Sequence, residues 1–236
     1  MKILIVGAQH GNETLGVELY YYISTYYPLQ NEHIDLLIGN PKAYLARVRY
    51  IQSDLNRSYG TNRVDYESRR AKKILKYIES HNFDLVLDIH TTVCDQPPSC
   101  IVAEPTPIVD AFIGSSRIVH IVEMPSHIAS VSLLGHIKNV VSVEINAKSV
   151  DSALLECLAK SIDRFIDGKQ LSLTRYVYGI TDKIYKVDIS EEEAGSFNNF
   201  MKHPMGFIPI LTGENSYKEQ TNYLGFRADK VTKITL

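Results

Sequence analysis

Lys2-Ile3-Leu4-Ile5-Val6-Gly7-Ala8-Gln9-His10-Gly11-Asn12-Glu13 is the stretch on which the reading of this chain turns. Ile3 to Val6 is a continuous aliphatic run, mostly β-branched. Such a run suits a strand covered on both faces. Gly7 and Gly11 bracket its exit and let the backbone turn tightly or approach a ligand. At that exit stand a histidine and, three residues on, a glutamate. Strand ends of open α/β sheets are where ligands bind, and imidazole nitrogen and carboxylate oxygen both suit zinc. Alone, His-x-x-Glu is equally a polar loop followed by an acid at a helix start.

The pattern returns further along. Phe83-Asp-Leu-Val-Leu-Asp88-Ile89-His90 is a second apolar body with a histidine tip, followed by Thr91-Thr92. A metal site between neighbouring strand ends needs two such strands. Catalytic zinc usually takes three protein ligands and keeps a fourth position for water. His10, Glu13 and His90 supply a two-histidine, one-glutamate set, so the expected cofactor is Zn2+, one per chain. The same donors also accept other divalent ions.

A hydrolase of this kind needs a proton acceptor and an anion stabiliser. Glu144 is a lone acid in the apolar run Val140-Val-Ser-Val-Glu-Ile145. Burying it costs free energy unless the carboxylate is used or paired. It is the candidate general base; a buried ion pair or a solvent-facing strand end is the alternative. Arg49 and the pair Asn56-Arg57 lie in an irregular arginine-bearing connection from Lys42 to Asn62. Long irregular connections in compact domains are often functional. Arginine's planar fork matches carboxylates bidentately, so one arginine can clamp a substrate carboxylate and another can steady a tetrahedral oxyanion. Solvated surface charge is the plainer reading of both.

Around these motifs the chain alternates strands and helices. A first helix is expected from near Asn12, with Leu15, Leu19, Tyr22, Ile23 and Tyr26 on one face, until Pro28 stops it. Ile34–Ile38 reads as a short buried strand and Asp65 to about Ser80 as a helix. Ser99–Glu104, Arg117–Met124 and Val140–Ile145 are further strands. The segments near 107–115 and 126–135 are weaker helices or loops. Leu154, Leu155, Leu158, Ile162 and Phe165 mark an amphipathic helix that ends before Gly168. Beyond it lie short β-rich runs at 175–178, 183–187, 206–211 and 230–236, with one short helical piece near Glu191–Ala194. The expected fold class is α/β, with a core at 1–168 and a small β-rich domain at 169–236.

At 236 residues and a net charge of -2, the chain can bury a proper core and lacks the basic excess of a general nucleic-acid binder. No apolar run approaches the roughly 20 residues of a membrane span, and no signal peptide is expected. Cys94, Cys100 and Cys157 are an odd number without framework spacing, which fits a reducing cytoplasm. Cys94 and Cys100 read as buried thiols, His33, His81 and His203 as exposed, and His120 as a core or sheet-face residue. His127 and His136 flank a loop.

The motifs together resemble the aspartoacylase and succinylglutamate desuccinylase family, zinc hydrolases with a carboxypeptidase-like fold. The matching pieces are Gly7-Ala-Gln-His10-Gly-Asn-Glu13, Gly39-Asn-Pro-Lys-Ala43, Arg49-Tyr50, Asp54-Leu-Asn-Arg57, Asp88-Ile-His-Thr-Thr92 and Val143-Glu144. Arg49-Tyr50 and the paired threonines lean towards the aspartoacylase branch. The resemblance implies a three-layer α/β/α core with a mixed sheet, and a small C-terminal β-rich domain bordering the active site. It implies hydrolysis of an N-acyl amino acid, with zinc on His10, Glu13 and His90. Glu144 would move the proton, Arg49 would polarise the amide carbonyl, and Asn56, Arg57 and Tyr217 would bind substrate. It departs from aspartoacylases in lacking an arginine between Arg117 and Glu144, and in having Ile145-Asn146 after the glutamate. The same chemistry on an N-succinyl amino acid, another N-acylated metabolite or a short peptide is the alternative. A non-catalytic ligand- or partner-binding module is the alternative of another class. Self-association into a homo-oligomer is compatible with all of these.

Overall fold

The computed structural model describes residues 1–235, apart from the side chain of Glu219, so the expected strand end at Leu236 lies outside the described residues. Among the described residues nine strands form one mixed sheet. In chain order they are β1 (Ile3–Gly7), β2 (Ile34–Ile38), β3 (Leu85–Thr92), β4 (Ser99–Val102), β5 (His120–Glu123), β6 (Val140–Asn146), β7 (Thr174–Tyr185), β8 (Ile208–Ile210) and β9 (Tyr223–Thr235). Across the sheet the order is β2-β1-β3-β6-β4-β5-β7-β9-β8. β2, β1, β3 and β6 run parallel. β4 enters antiparallel to β6, and β5 and β7 follow its direction. The helices are α1 (Leu15–Tyr26), α2 (Pro28–Asn31), α3 (Pro41–Ala46), α4 (Tyr66–His81), α5 (Pro107–Ser115), α6 (Ser126–Ala129), α7 (Ser152–Ile166), α8 (Glu191–Gly195) and α9 (Asn215–Gln220).

Side-chain alternation along each strand divides the core in two. Ile3, Ile5, Leu85, Leu87, Val141 and Val143 pack against α1, α5 and α7. Leu4, Val6, Val86 and Val140 face the other way, towards Ala71, Ile74 and Ile78 of α4. This is the expected α/β/α layering. The polar residues of β3 and β6 that carry chemistry, Asp88, His90, Ser142 and Glu144, share parity with Val86 and Val140, so they stand on the α4 side.

Several elements differ from the sequence reading. α1 starts at Leu15, not near Asn12, because Gly11 to Glu13 are consumed by a turn in which the Glu13 N–H donates to the His10 carbonyl at 2.9 Å. β2 is an edge strand, with Ile34 alone fully buried. The segment at 107–115 is a regular helix whose Thr106 side chain accepts from the Val109 N–H. The runs at 175–178 and 183–187 are one strand, β7, interrupted by register shifts against β9. β7 also pairs with β5, from His120 against Tyr176 to Glu123 against Gly179. The C-terminal segment therefore extends the core sheet. α9 has no counterpart in the sequence reading. No helix among the described residues is long and apolar enough to cross a membrane.

Candidate active site

The strand exits of β1 and β3 and the end of β6 converge. The parallel ladder sets His90 beside Glu144. Ala8 takes left-handed backbone at φ 53°, which turns the chain out of β1. A Cβ at Gly11 would lie 2.1 Å from the carbonyl carbon of Ala43, so glycine alone lets the loop pass α3. The turn then brings His10 and Glu13 together.

His10 Nδ1 lies 2.7 Å from Glu13 Oε1 and His90 Nδ1 2.9 Å from Glu13 Oε2. The outer nitrogens are also held: His10 Nε2 is 3.0 Å from Asp54 Oδ1, and His90 Nε2 is 3.1 Å from Asp88 Oδ2, out of line for a full hydrogen bond. Both rings thus point Nδ1 inward and Nε2 at a carboxylate. That is the usual arrangement of metal-ligating histidine. Candidate ligand atoms of His10, Glu13 and His90 all lie within 4.8 Å of one another, and all three residues are buried. The donor set, its spacing and its outer carboxylates fit a zinc ion.

Glu67 of α4 positions the arginine-bearing loop. Its carboxylate is fully buried and accepts from the backbone N–H groups of Ile51, at 2.8 Å, and of Gln52 and Ser53, each at 3.2 Å. Arg49 is thereby held with Nη2 3.1 Å from Asp54 Oδ2 and Nη1 3.4 Å from Glu13 Oε1. Asn56 lines the same cleft, with its Oδ1 accepting from the Leu133 N–H at 3.2 Å. Arg57 donates from Nη2 to the Tyr217 hydroxyl at 3.3 Å. Every residue singled out in the sequence therefore lines one cleft.

The sequence reading missed Glu214, just ahead of α9. It lies 3.7 Å from Arg49 Nη1, and its Oε2 accepts from the Thr92 hydroxyl at 2.7 Å. Asp54, Asp88 and Glu67 were also without assigned roles. Cys94 and Cys100 are buried as expected; burial pushes both thiols up to about 12. His127 and His136 are exposed. His120 starts β5, half-buried, and stacks on Tyr176. His33 and His203 are half-buried rather than exposed; the ring of His33 bonds the Met1 carbonyl and that of His203 the Ser196 hydroxyl.

The charges oppose one another in an instructive way. Burial pushes the Glu13 carboxyl up, but the His10 and His90 rings outweigh it and hold it far below the usual range. Burial works against a charged His90, yet Asp88 and Glu13 raise it well above an ordinary histidine. Glu144 goes the other way: burial lifts it to about 7, with Glu13 and Glu214 adding to the rise and His90 opposing it.

The rise in Glu144 makes a stability prediction. An acid whose folded-state pKa is raised binds its proton more tightly when folded. Its contribution is complete below the unfolded value of 4.5 and is lost as pH rises through about 7. His10 and His90, also raised, act in the same direction. Chelator-treated protein should therefore melt at lower temperature near pH 8 than near pH 5, by several degrees. Glu144→Gln should flatten part of that slope in scanning calorimetry; an unchanged slope would contradict it.

Comparison with known proteins bears on this site. The family described as succinylglutamate desuccinylase/aspartoacylase catalytic domain matches residues 1–102, the part that holds His10, Glu13 and His90. A probable aspartoacylase of Nostoc sp. is 35% identical over 118 residues, 45% of this chain and 40% of that relative. An N-acyl-aromatic-L-amino acid amidohydrolase (carboxylate-forming) of Xenopus tropicalis is 22% identical over 250 residues, 90% of this chain and 79% of that one. The matches thus span about two-fifths of the length of the first curated relatives, between 36% and 40%. In fold, the crystal structure of murine aminoacylase 3 superposes with a TM-score of 0.70 at 18% identity, covering 100% of this chain and 96% of that one. The succinylglutamate desuccinylase from Chromobacterium violaceum gives 0.74 at 14% identity, covering 100% and 85%. Residues 1–102, with the strand-tip motifs, are thus similar to the succinylglutamate desuccinylase/aspartoacylase catalytic domain, and the whole chain shares its fold with solved structures of an aminoacylase and a succinylglutamate desuccinylase.

Proposed function

We propose that the chain hydrolyses the amide bond of an N-acyl amino acid, releasing a carboxylate and the free amino acid, with Zn2+ held by His10, Glu13 and His90. One observation carries the reading: the inward Nδ1 atoms of His10 and His90 meet on the Glu13 carboxylate, with Glu144 paired to His90 in the adjoining strand. When bound, zinc would lower the pKa of water towards 7 and polarise a carbonyl.

The remaining work falls to side chains. Glu144, lifted to about 7, takes a proton from the attacking water and passes it to the leaving amine. A group titrating near the working pH suits both transfers. Arg49 offers a guanidinium to the developing oxyanion. Arg57, steadied by the Tyr217 hydroxyl, clamps the carboxylate of the amino-acid part, with Asn56 beside it. Residues 169–236 act as a C-terminal unit that narrows the mouth and contributes Tyr217. The three free cysteines accord with a cytoplasmic setting.

A second reading concerns the substrate. Ile101, Met124, Ile128, Leu134, Leu211 and Phe226 form an apolar wall in the cleft, and no arginine lies between Arg117 and Glu144. That wall favours an uncharged side chain or acyl group over the side-chain carboxylate of N-acetylaspartate. The Xenopus relative's name, for an N-acyl-aromatic substrate, agrees. Free-amine release from zinc-loaded protein tests both readings, on a panel of N-acetyl-, N-formyl- and N-succinyl-amino acids with acidic, aliphatic and aromatic side chains. Turnover of the apolar members by at least tenfold over N-acetylaspartate supports the second reading. Preference for N-acetylaspartate overturns it and keeps the first. No turnover with zinc bound points to a ligand- or partner-binding module.

A further inference from the structure

Gln9 belongs to none of the roles above, yet it is 1% exposed and lies directly behind the metal ligands. Its Nε2 sits 2.7 Å from each oxygen of Asp88. A carboxylate only accepts, so the amide nitrogen must face it, and this fixes which way the amide is turned. Oε1 then points away from Asp88, to the Tyr59 hydroxyl, which donates to it at 2.7 Å. Tyr59 is fully buried. At the far end, Asp88 Oδ2 lies 3.1 Å from His90 Nε2. Tyr59, Gln9, Asp88 and His90 thus form one buried chain of polar contacts. It runs from the end of the arginine-bearing loop to a candidate metal ligand.

Each link needs the next. Asp88 is 1% exposed, with no Lys or Arg paired to it among the described residues. A buried carboxylate needs hydrogen-bond donors. Gln9 is its only side-chain hydrogen-bond donor among the described residues, the His90 contact being poorly aligned. Without Gln9 the carboxylate is free to turn, and His90 Nε2 loses the oxygen it faces at 3.1 Å. Without the Tyr59 hydroxyl the Gln9 amide is free to rotate off Asp88.

We propose that Tyr59 and Gln9 are positioning residues of the metal site: through Asp88 they orient the His90 ring, with Nε2 towards that carboxylate and Nδ1 towards the metal position, and so set metal affinity. The proposal rests on the metal reading of His10, Glu13 and His90. Neither residue lines the cleft.

The test is zinc affinity by competition with a chromophoric chelator, for wild type, Tyr59→Phe, Gln9→Met and the double variant. Melting of each metal-free protein is measured alongside. Tyr59→Phe keeps the ring and removes only the hydroxyl, so its fold is secure if Gln9→Met proves unstable. Gln9→Met should weaken zinc binding about 10- to 100-fold, the range for outer partners of ligating histidines. Tyr59→Phe should weaken it by about fivefold, one hydrogen bond's worth. The double variant should bind no more weakly than Gln9→Met, because Tyr59 acts only through Gln9. Cobalt-substituted protein should show a shifted visible spectrum in Gln9→Met. Unchanged zinc affinity in Tyr59→Phe and Gln9→Met, or losses that simply add in the double variant, overturns the proposal. A wild type that takes up no zinc overturns the metal reading and the proposal with it.

Discussion

Glu144→Gln is expected to lower turnover by about 10²- to 10⁴-fold, the range lost with a general acid–base group, while the protein keeps its zinc and its fold. The substitution preserves size and a hydrogen-bonding oxygen but leaves a group that cannot take up a proton from water. Glu144 sits in β6 beside His90 of β3, on the face shared by the ligands, and burial poises its carboxyl near 7. No hydrogen bond or ion pair among the described residues commits it elsewhere, so its removal strands no partner. KM should change little, because substrate binding is assigned to other groups of the cleft, Arg57, Asn56 and Tyr217. Steady-state amine release and zinc content of the variant check this together. Retention of more than a tenth of wild-type turnover would move the base to another carboxylate of the cleft, such as Glu214.

His90→Ala should have the larger effect on metal. It removes one of three ligands and leaves Glu13 and Asp88 as buried carboxylates that each lose a partner. Zinc affinity should fall well beyond the 10- to 100-fold typical of outer-partner changes, and amine release should drop to background. The metal-free protein should also be destabilised, by about 3–5 kcal/mol, as when one member of a buried ion pair is removed. Equilibrium dialysis and denaturant unfolding of the variant give the two numbers. The contrast with Glu144→Gln, where zinc stays and turnover goes, separates a ligand from a proton carrier.

The proposed metal ligands were legible because they stand at the tips of aliphatic strands. Ile3–Val6 and Leu85–Ile89 read as covered strands, so His10, Glu13 and His90 stand out as polar groups at their exits. Glu144 stands out for the same reason, as one acid in an apolar run. The outer residues carry no such signal. Asp54 meets His10 across 44 residues, and Gln9 meets Asp88 across 79; only the assembled sheet brings them together. Glu67 looks like an ordinary first-turn acid until the loop it bonds is folded over it. In the C-terminal third the alternation is broken by register shifts near Gly179 and Asp182, which splits β7 into apparent fragments. α9 is six residues long, too short for helical periodicity, so Tyr217 was named only through the family resemblance and Glu214, just ahead of the helix, stayed hidden.

The central claim is that amide hydrolysis depends on a metal held by His10, Glu13 and His90. Zinc titration of chelator-stripped protein tests it most directly, with amine release from the best substrate of the panel followed at each addition. The account predicts no release without metal, a linear rise with added zinc, and a plateau at one equivalent per chain that His90→Ala never approaches. Full activity in the stripped protein, or a plateau reached equally by His90→Ala, would contradict it.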